Sequence, residues 1–522
     1  MKSRTSSTLI IGVSLFIVLF GNGSFFKHVL EDYPFNSTYA PFVISLGLVL
    51  FFFLVLLFSL LSWRYITKPL LMFMLIITAL QNYFMQTYNI IIDTTMIENT
   101  VQTDVGEAFD LMSWKMFAYV ILLGLLPSYL IYKTPLVYGG VKKELLSKLT
   151  LIIGSTILIY SIMLPFSTHY TSFFREHKIL RSYTNPVKGL YSFGSYVNEQ
   201  LKDKNTPLTH TGLDAKIEKR EKRRVVIMVV GEAARADHFS LNGYERDTNP
   251  LLKKENIINF SNMYSCGTTT AVSVPCMFSI YDRDEYNTQK GLHRENVLDV
   301  LSHAGVEVLW RDNNSNSKGV ADRLKYEHYK TSKNNTMCEG ECRDVGMLVG
   351  LDKRIEKSSK DMVIVLHQMG NHGPAYYKRY PKEFERFTPT CQTNQLEECS
   401  QEEIANAFDN ALLYTDYFLS QTIQLLKKYE DSVYTAMFYM ADHGESLGEG
   451  GFYLHGLPYF IAPDAQKHVA SVLWLGRNFP VDHENIRKNA SDGFTQDNLF
   501  STLLGLFDVQ TEVYEKEMDI LK

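Results

Sequence analysis

The sequence predicts two unlike halves: a membrane domain of five α-helices, then an α/β domain with a largely parallel central sheet. Two observations predict this architecture. Five long apolar runs crowd into residues 1–166. From residue 223 onward, short apolar runs typical of buried strands alternate with helical patterns. The net charge of −5 gives the chain no general attraction to nucleic acid, and we expect no such partner.

The apolar runs in the first half predict membrane-spanning helices, because a helix needs roughly 20 residues to cross a bilayer. We place these helices at about 8–25, 40–61, 68–86, 115–132 and 149–166. The first run follows a basic start, as a secretory signal peptide does. Since a small-residue cleavage site of the A-x-A type does not follow it, we interpret it as an uncleaved anchor.

The positions of Lys and Arg predict the orientation in the membrane. Basic residues precede the first helix and fill the second and fourth loops, whereas the third loop, from about 85 to 115, is acidic. Because basic loops remain cytoplasmic, we expect a cytoplasmic N-terminus, with everything after 166 on the outer side. We expect 167–222 to be a linker with an interfacial or bridging helix, and 223–522 to be the α/β domain.

Continuous apolar runs in the second half predict strands that are buried on both faces. These runs lie at 225–232, 306–312, 361–370, 434–445 and 470–476. Helical patterns at 295–305 and 410–430 lie between them. This alternation is typical of parallel strands joined by crossover helices.

All six cysteines lie in the second half, in three close pairs. They are Cys266, Cys276, Cys338, Cys342, Cys391 and Cys399. An even number of cysteines in an exported domain predicts disulfides. The alternative is a structural zinc site built from several cysteines, which the absence of C-x2-C spacing disfavours.

Polar residues cluster where the predicted strands end. Glu232 follows VVIMVVG, Asp442 and His443 follow MFYMA, His372 lies just after VIVLHQMG, and His455 comes further along. In open α/β sheets, ligands bind beyond the carboxyl ends of the strands. Because carboxylate and imidazole groups suit zinc or manganese, the pattern predicts a metal site at this edge.

The segment SCGTTTAVSVPCMFS, residues 265–279, predicts a nucleophile. Two cysteines bracket three threonines, and Thr270 precedes a segment that can open a helix. A threonine in this position can simply cap the helix. A helix N-terminus also binds phosphate, and a hydroxyl beside a metal becomes a stronger nucleophile. The bracketing cysteines favour the nucleophile, because such a group must be held rigidly.

Five segments carry a family resemblance: GEAARADHFSLNGYERDTNP, SCGTTTAVSVPCMFS, WRDNNSNSKGVADR, HQMGNHGPAYYKRYP and ADHGESLGEGGFYLHGLPY. They resemble the lipid A phosphoethanolamine transferases of the alkaline-phosphatase superfamily, to which sulfatases and the mobile colistin-resistance enzymes also belong. The similarity covers essentially the whole chain. It implies an alkaline-phosphatase-like α/β domain on the periplasmic side of a bacterial inner membrane.

The resemblance also implies an activity and a cofactor. Family members take phosphoethanolamine from phosphatidylethanolamine onto a threonine and then pass it to a lipid A phosphate. The matching nucleophile is Thr270. The matching ligands are Glu232, Thr270, Asp442 and His443, for one tightly bound zinc ion, with a second as an option.

Further residues match the family's substrate site. They are Asn99, Thr103, Glu107, Ser315, Lys318, His372 and His455. The resemblance implies that His372 and His455 contact the phosphoryl group or a second zinc ion. Either histidine could also act as a general acid or base. His367 is a candidate for a supporting role or for binding a second metal ion. Asn371 departs from the family, which commonly has Ser before His-Gly-Pro. The cysteines would pair 266–276, 338–342 and 391–399.

Other functions stay open. One alternative is a hydrolase of the superfamily, in which water accepts the phosphoryl group and free phosphate or ethanolamine phosphate is released. A sulfatase is disfavoured, because sulfatases need Cys or Ser where this chain has Thr270. A transferase for a core sugar or a periplasmic glucan, or one that moves glycerol phosphate, shares these motifs. A non-catalytic receptor requires a replaceable Thr270. The leading expectation is a monomeric enzyme that lowers the negative charge of lipid A and so weakens binding of cationic peptides such as polymyxin.

Overall fold

The computed structural model describes residues 3–103, 105–203 and 206–522, without the side chains of 105–107, 202 and 203. The chain forms two compact units. The first comprises Met1–Ile97 and Met112–Val197, and the second comprises Glu98–Leu111 and Asn198–Lys522. A short segment of the long acidic loop therefore belongs to the same unit as the α/β domain.

The first unit is helical, as predicted. Within the described residues, four helices are long and apolar enough to cross a membrane: Ala40–Leu61, Thr67–Tyr88, Trp114–Lys133 and Val141–Arg175. The last of them contains the α-helices Val141–Met163 and Ser167–Arg175. A fifth span exists if the bent pair Ser6–Gly21 and Gly23–Asp32 counts as one.

The break in the first helix differs from the single continuous helix predicted there. The two pieces meet at 59° around Asn22, which lies between two glycines. The Asn22 side chain donates to the carbonyls of Ile17 and Asn185, each at 3.0 Å. A polar side chain that competes for helix carbonyls, flanked by flexible glycines, is a physical cause of such a kink.

The second unit is built on a seven-stranded sheet. In chain order its strands are β1 Arg224–Gly231, β2 Ile257–Asn259, β3 Glu307–Asp312, β4 Lys325–His328, β5 Met362–His367, β6 Tyr434–Ala441 and β7 Ser471–Leu475. The spatial order is β2-β7-β6-β1-β5-β3-β4. The five strands from β6 to β4 run parallel, and β7 is antiparallel to both of its neighbours. The prediction of a largely parallel central sheet is confirmed.

Helices and short strands complete the second unit, and two of these helices also have residues in the first unit. The helices are Thr94–Gln102, which begins in the first unit, Val105–Asp110, Val187–Asp203, which ends in the second, Thr270–Met277, Thr288–Leu292, Val297–His303, Leu351–Lys357, Gln401–Lys427, Asp464–Lys467, His483–Asn489 and Asn498–Phe507. The short strands are Lys216–Ile217, Met263–Tyr264, Cys338–Glu339, Glu341–Cys342, Ser446–Leu447, Tyr453–Leu454, His468–Val469, Phe494–Thr495 and Val509–Gln510.

The sequence explains the position of β1 at the centre of the sheet. Every residue from Arg224 to Gly231 is buried, and six of the eight are Val, Ile or Met. Such a run lacks a polar face and is stable only where both sides of the strand are covered. The first polar side chain after the run, Glu232, therefore comes at the carboxyl edge of the sheet.

Candidate active site

The ends of β1 and β6 bring two carboxylates together. The two strands are parallel neighbours, and Ala441 pairs with Gly231 at their last residues. The next residues along the chain, Glu232 and Asp442, therefore leave the sheet side by side, and both are fully buried. The backbone N–H of Ala233 donates to Asp442 Oδ1 at 3.1 Å, which fixes the second carboxylate against the turn after β1.

Thr270 reaches this pair from the helix Thr270–Met277, of which it is the first residue. Its Oγ1 donates to Glu232 Oε2 at 3.2 Å and lies 3.3 Å from His443 Nε2. The hydroxyl is buried with the carboxylates, and the residue is 5% exposed. The N-terminal helix position predicted for this threonine is thus present, and the preceding residue, Thr269, takes the N-cap.

His443 is held in one tautomer. Its Nδ1 lies 2.9 Å from the carbonyl oxygen of Gly444. Because a carbonyl oxygen only accepts, Nδ1 carries the proton and Nε2 offers its lone pair. That Nε2 lies 3.4 Å from Glu232 Oε1 and 3.5 Å from Asp442 Oδ2. An imidazole oriented by a backbone carbonyl in this way is typical of a metal ligand.

The four side chains fit a zinc ion. The ligand atoms of Glu232, Asp442 and His443 lie within 4.8 Å of one another, and all three residues are buried. Zinc is bound tetrahedrally at about 2.0–2.1 Å from O and N ligands, which places neighbouring ligand atoms roughly 3.3 Å apart. The contacts of 3.2–3.5 Å between the four groups match that spacing. Asp442 Oδ2 has no hydrogen-bond partner among the described residues, and two buried carboxylates within 4.8 Å of each other favour a cation between them.

Two buried amides support the cluster, and the sequence analysis did not identify either. Asn314 Nδ2 donates to Glu232 Oε2 at 2.7 Å and so fixes that carboxylate. Gln496 Nε2 donates to the carbonyls of Ala441 and Asp442, each at 2.8 Å. Asn314 lies inside WRDNNSNSKG, a segment quoted for its resemblance, whereas Gln496 carries no sequence signal.

Gln496 also holds the loop in front of Thr270. Its Oε1 accepts from the backbone N–H of Cys266 at 2.7 Å and from Ser273 Oγ at 3.2 Å. The fully buried amide therefore uses its donor and acceptor atoms to tie the loop before Thr270 to the end of β6.

The predicted histidines lie in two places. The ring of His455 is 4.2 Å from that of His443 and 6.0 Å from that of His372, so these three histidines form one group. Burial and the nearby Arg379 guanidinium hold the pKa of His372 well below its usual value. His367 is apart from this group: its Nδ1 contacts Asp312 Oδ2 at 2.9 Å, at the ends of β5 and β3.

The predicted substrate residues around Lys318 form a second group. Lys318 Nζ donates to the carbonyl of Ser315 at 3.2 Å and to that of Gln102 at 3.5 Å. Thr103 Oγ1 donates to the carbonyl of Asn99 at 2.7 Å, so this hydroxyl is engaged within its own segment. The side chain of Glu107 lies outside the described residues.

Left-handed backbone conformations mark both groups. Four residues other than glycine with positive φ lie next to predicted site residues: Ala233 (55°), Asn316 (82°), Lys318 (50°) and Leu454 (62°). Such conformations are unfavourable for residues with a Cβ atom and concentrate at functional sites. They turn the chain directly after Glu232, around Ser315 and before His455.

The six cysteines form three disulfides in the second unit: Cys266–Cys276, Cys338–Cys342 and Cys391–Cys399. These are the pairs that the resemblance implies, and they exclude the alternative of a cysteine zinc site. The first disulfide joins the loop before Thr270 to the end of its helix. The side chain of Asn371, the departure from the family pattern, donates to the carbonyl of Phe408 at 3.0 Å and is fully buried.

Comparisons with known proteins agree with this geometry. A sulfatase family model matches residues 224–509, and a model described as phosphoethanolamine transferase EptA/EptB matches residues 50–201. Phosphatidylethanolamine transferase Mcr-1 from Escherichia coli is 44% identical over 98% of this chain and 96% of its own length. Phosphoethanolamine transferase EptA from E. coli K12 is 39% identical over 96% of this chain and 94% of its own length.

A solved structure extends the similarity to the whole fold. The integral membrane lipooligosaccharide phosphoethanolamine transferase EptA from Neisseria meningitidis matches with a TM-score of 0.96 and 36% identity. The match covers 100% of this chain and 99% of that one. The second unit is therefore an alkaline-phosphatase-like domain of the sulfatase type. The chain belongs to the EptA/Mcr phosphoethanolamine transferase family, as the resemblance in the sequence implies.

Proposed function

We propose that this protein transfers phosphoethanolamine from phosphatidylethanolamine to a lipid A phosphate through a covalent intermediate on Thr270. The observation that carries the proposal is the placement of the Thr270 hydroxyl. It lies at a helix N-terminus, within 3.2–3.3 Å of Glu232 and His443, in a buried cluster that fits zinc. A hydroxyl with only a capping role would instead bond to the backbone of its own helix.

In the first displacement, Thr270 Oγ1 attacks the phosphorus atom of the donor lipid. The new Thr–O–P bond forms as the bond from phosphorus to the diacylglycerol oxygen breaks, and diacylglycerol leaves with a proton. The N–H groups at the start of the helix Thr270–Met277 favour the negative charge on the phosphoryl oxygens. A covalent intermediate divides the transfer into two steps and gives ping-pong kinetics.

In the second displacement, a phosphate oxygen of lipid A attacks the same phosphorus atom. The Thr–O–P bond breaks, and Thr270 regains its proton. His372 and His455 lie in one group with His443 and are the residues proposed to move protons to and from the two lipids. Lys318 and Ser315 are proposed to contact the phosphoethanolamine group, with Asn99, Thr103 and Glu107.

Zinc is the proposed cofactor, held by Glu232, Thr270, Asp442 and His443. When bound, it lowers the pKa of the threonine hydroxyl and offsets phosphate charge. Asn314 then acts on the ligand Glu232, because its amide donates to the carboxylate oxygen that Thr270 also contacts. No hydrogen bond or ion pair in the described part of the chain joins the His367 side chain to this cluster, and we propose a supporting role for it at the end of β5.

The substrates are supported by related proteins. Mcr-1 is described as a phosphatidylethanolamine transferase, which supports the donor. The N. meningitidis relative acts on lipooligosaccharide, which supports an acceptor of that class. Added ethanolamine brings a positive charge to lipid A, so we also propose that the enzyme confers resistance to polymyxin.

The test is mass spectrometry of lipid A from Gram-negative cells that produce the protein. The wild type is expected to add the mass of phosphoethanolamine, and Thr270→Ala is expected to abolish the addition. Thr511→Ala, which removes an exposed hydroxyl bonded to Asp214, serves as the matched control and should retain it. Unmodified lipid A with modified core sugar or glucan would overturn the acceptor, and addition by Thr270→Ala would overturn the nucleophile.

A further inference from the structure

Arg379 joins three segments that lie far apart in the sequence. Its side chain is 2% exposed. Nη2 donates to Asp110 Oδ2 at 3.0 Å, and Nη1 donates to Glu341 Oε1 at 2.5 Å. Nε donates to the backbone carbonyl of His372 at 2.6 Å. All three nitrogens of the guanidinium are therefore used, each on a different segment.

The three partners of Arg379 lie in segments with different features. Asp110 ends the helix Val105–Asp110, within Glu98–Leu111, the stretch that contains three predicted substrate residues. Glu341 lies in the hairpin closed by the Cys338–Cys342 disulfide. His372 is a proposed proton-transfer group.

Both carboxylate oxygens of Asp110 have a cationic partner. Its Oδ2 accepts from Arg379, and its Oδ1 lies 2.5 Å from Lys378 Nζ. Asp110 is 8% exposed. A buried carboxylate and guanidinium are stable only with their charges matched, so the ion pairs hold Asp110 in one position. The planar guanidinium alone offers donors in three fixed directions, which a lysine ammonium cannot reproduce.

We infer that Arg379 is a positioning residue for the transferase reaction. It fixes Asp110, the last residue of the helix Val105–Asp110, against the loop of His372, so that the donor lipid meets a preformed site. The inference rests on the proposed function. It concerns how two groups of substrate residues are held together, and it assigns Arg379 no contact with the substrate.

The test uses full-length protein and initial rates at varied phosphatidylethanolamine concentration. Asp110→Asn removes the charge that anchors the segment, and we expect KM for the donor to rise about fivefold or more with kcat within about threefold of the wild type. Arg379→Lys also loses the bond to the His372 carbonyl, and we expect kcat to fall at least about tenfold as well. Asp110→Glu keeps the charge and is expected to retain most of the wild-type KM.

Lys382→Gln is the matched control, because it breaks an exposed ion pair with Glu385 on the same surface segment. Its kinetic constants should equal those of the wild type. Zinc content and thermal unfolding of each variant separate a positioning effect from misfolding. The inference is overturned if Asp110→Asn has the KM of the wild type. It is also overturned if the loss of activity in the variants is explained entirely by a smaller fraction of folded protein. If the wild type transfers nothing to any acceptor, the proposed function fails instead.

Discussion

Three consecutive threonines have three different environments. Thr268 Oγ1 donates to the carbonyl of Leu457 at 2.7 Å and so holds the loop beside His455. Thr269 takes the N-cap, and its buried hydroxyl has no hydrogen-bond partner among the described residues. Thr270 alone points at the carboxylates. The start of the helix thus determines which hydroxyl meets the carboxylates, since a shift of one residue would place a different threonine there.

Glu98 gives a pH dependence that can be tested. Burial raises its pKa from 4.5 to about 7, although Thr288 and Gln102 donate hydrogen bonds to it. The folded state therefore holds a proton that the unfolded state releases between these values. Glu98 therefore costs no stability below about pH 4.5, where it is protonated in both states, and it destabilises the folded state increasingly as pH rises from about 4.5 through 7.

Because ionisation of Glu98 destabilises the folded state, we expect Glu98→Gln to stabilise the protein at high pH. The shift corresponds to about 3 kcal/mol, so the variant should be more stable than the wild type by up to that amount at pH 8, and by under about 1 kcal/mol at pH 5. Thermal unfolding of the detergent-purified protein at both pH values measures the difference. Glu383→Gln, at an exposed carboxyl, is the control. An equal advantage of Glu98→Gln at both pH values would contradict the prediction.

At the scale of elements, Gln496 connects the helix Thr270–Met277 and the loop before it to β6. The variant Gln496→Met keeps the approximate volume but leaves the Cys266 N–H and the carbonyls of Ala441 and Asp442 without their partner. Each buried polar group left without a hydrogen bond costs about 1–3 kcal/mol. We therefore expect the free energy of unfolding to fall by several kcal/mol and the transferase activity to fall at least about tenfold. Urea unfolding and the lipid A assay measure the two effects.

The control for Gln496 is Gln392→Met, at an exposed glutamine bonded to Thr390. It should leave stability and activity unchanged. If Gln496→Met were as stable and active as Gln392→Met, the amide would not be what holds the nucleophile loop.

The sequence predicted the central elements and missed the edges, for a physical reason. β1, β5 and β6 are buried on both faces, and their apolar runs identify them without knowledge of the fold. β4, Lys325–His328, is mostly exposed and has no such run, because it forms only by pairing with the already buried β3. The helix Gln401–Lys427 begins nine residues earlier than its apolar pattern, at a capping box of Ser400 and Glu403.

The same distinction applies to the site. Glu232, Asp442 and His443 follow directly from strand ends, so a local pattern locates them. Gln496 and Arg379 each join segments that lie far apart in the sequence, such as Cys266 with Gln496 and Asp110 with Arg379. Contacts of this kind exist only in the folded chain, and neither residue type is unusual in a loop.

At the scale of the whole molecule, the number of membrane crossings decides on which side the α/β domain lies. Four helices in the described part of the chain qualify as spans, and the bent pair Ser6–Gly21 and Gly23–Asp32 adds a fifth only if it crosses as one. Five crossings place the two ends of the membrane domain on opposite sides, and four place them on the same side. The basic residues before the first helix and in the second and fourth loops favour five, with the N-terminus cytoplasmic.

Cysteine labelling in cells distinguishes the two arrangements, because the six native cysteines are all in disulfides. Ser3→Cys places a thiol before the first helix, and Ser432→Cys places one on the exposed surface of the α/β domain. With the outer membrane permeabilised, we expect an impermeant maleimide to label Ser432→Cys fully. Ser3→Cys should react only after the inner membrane is also disrupted. Equal labelling of both before disruption would mean four crossings, with the bent pair not spanning the membrane and both ends outside.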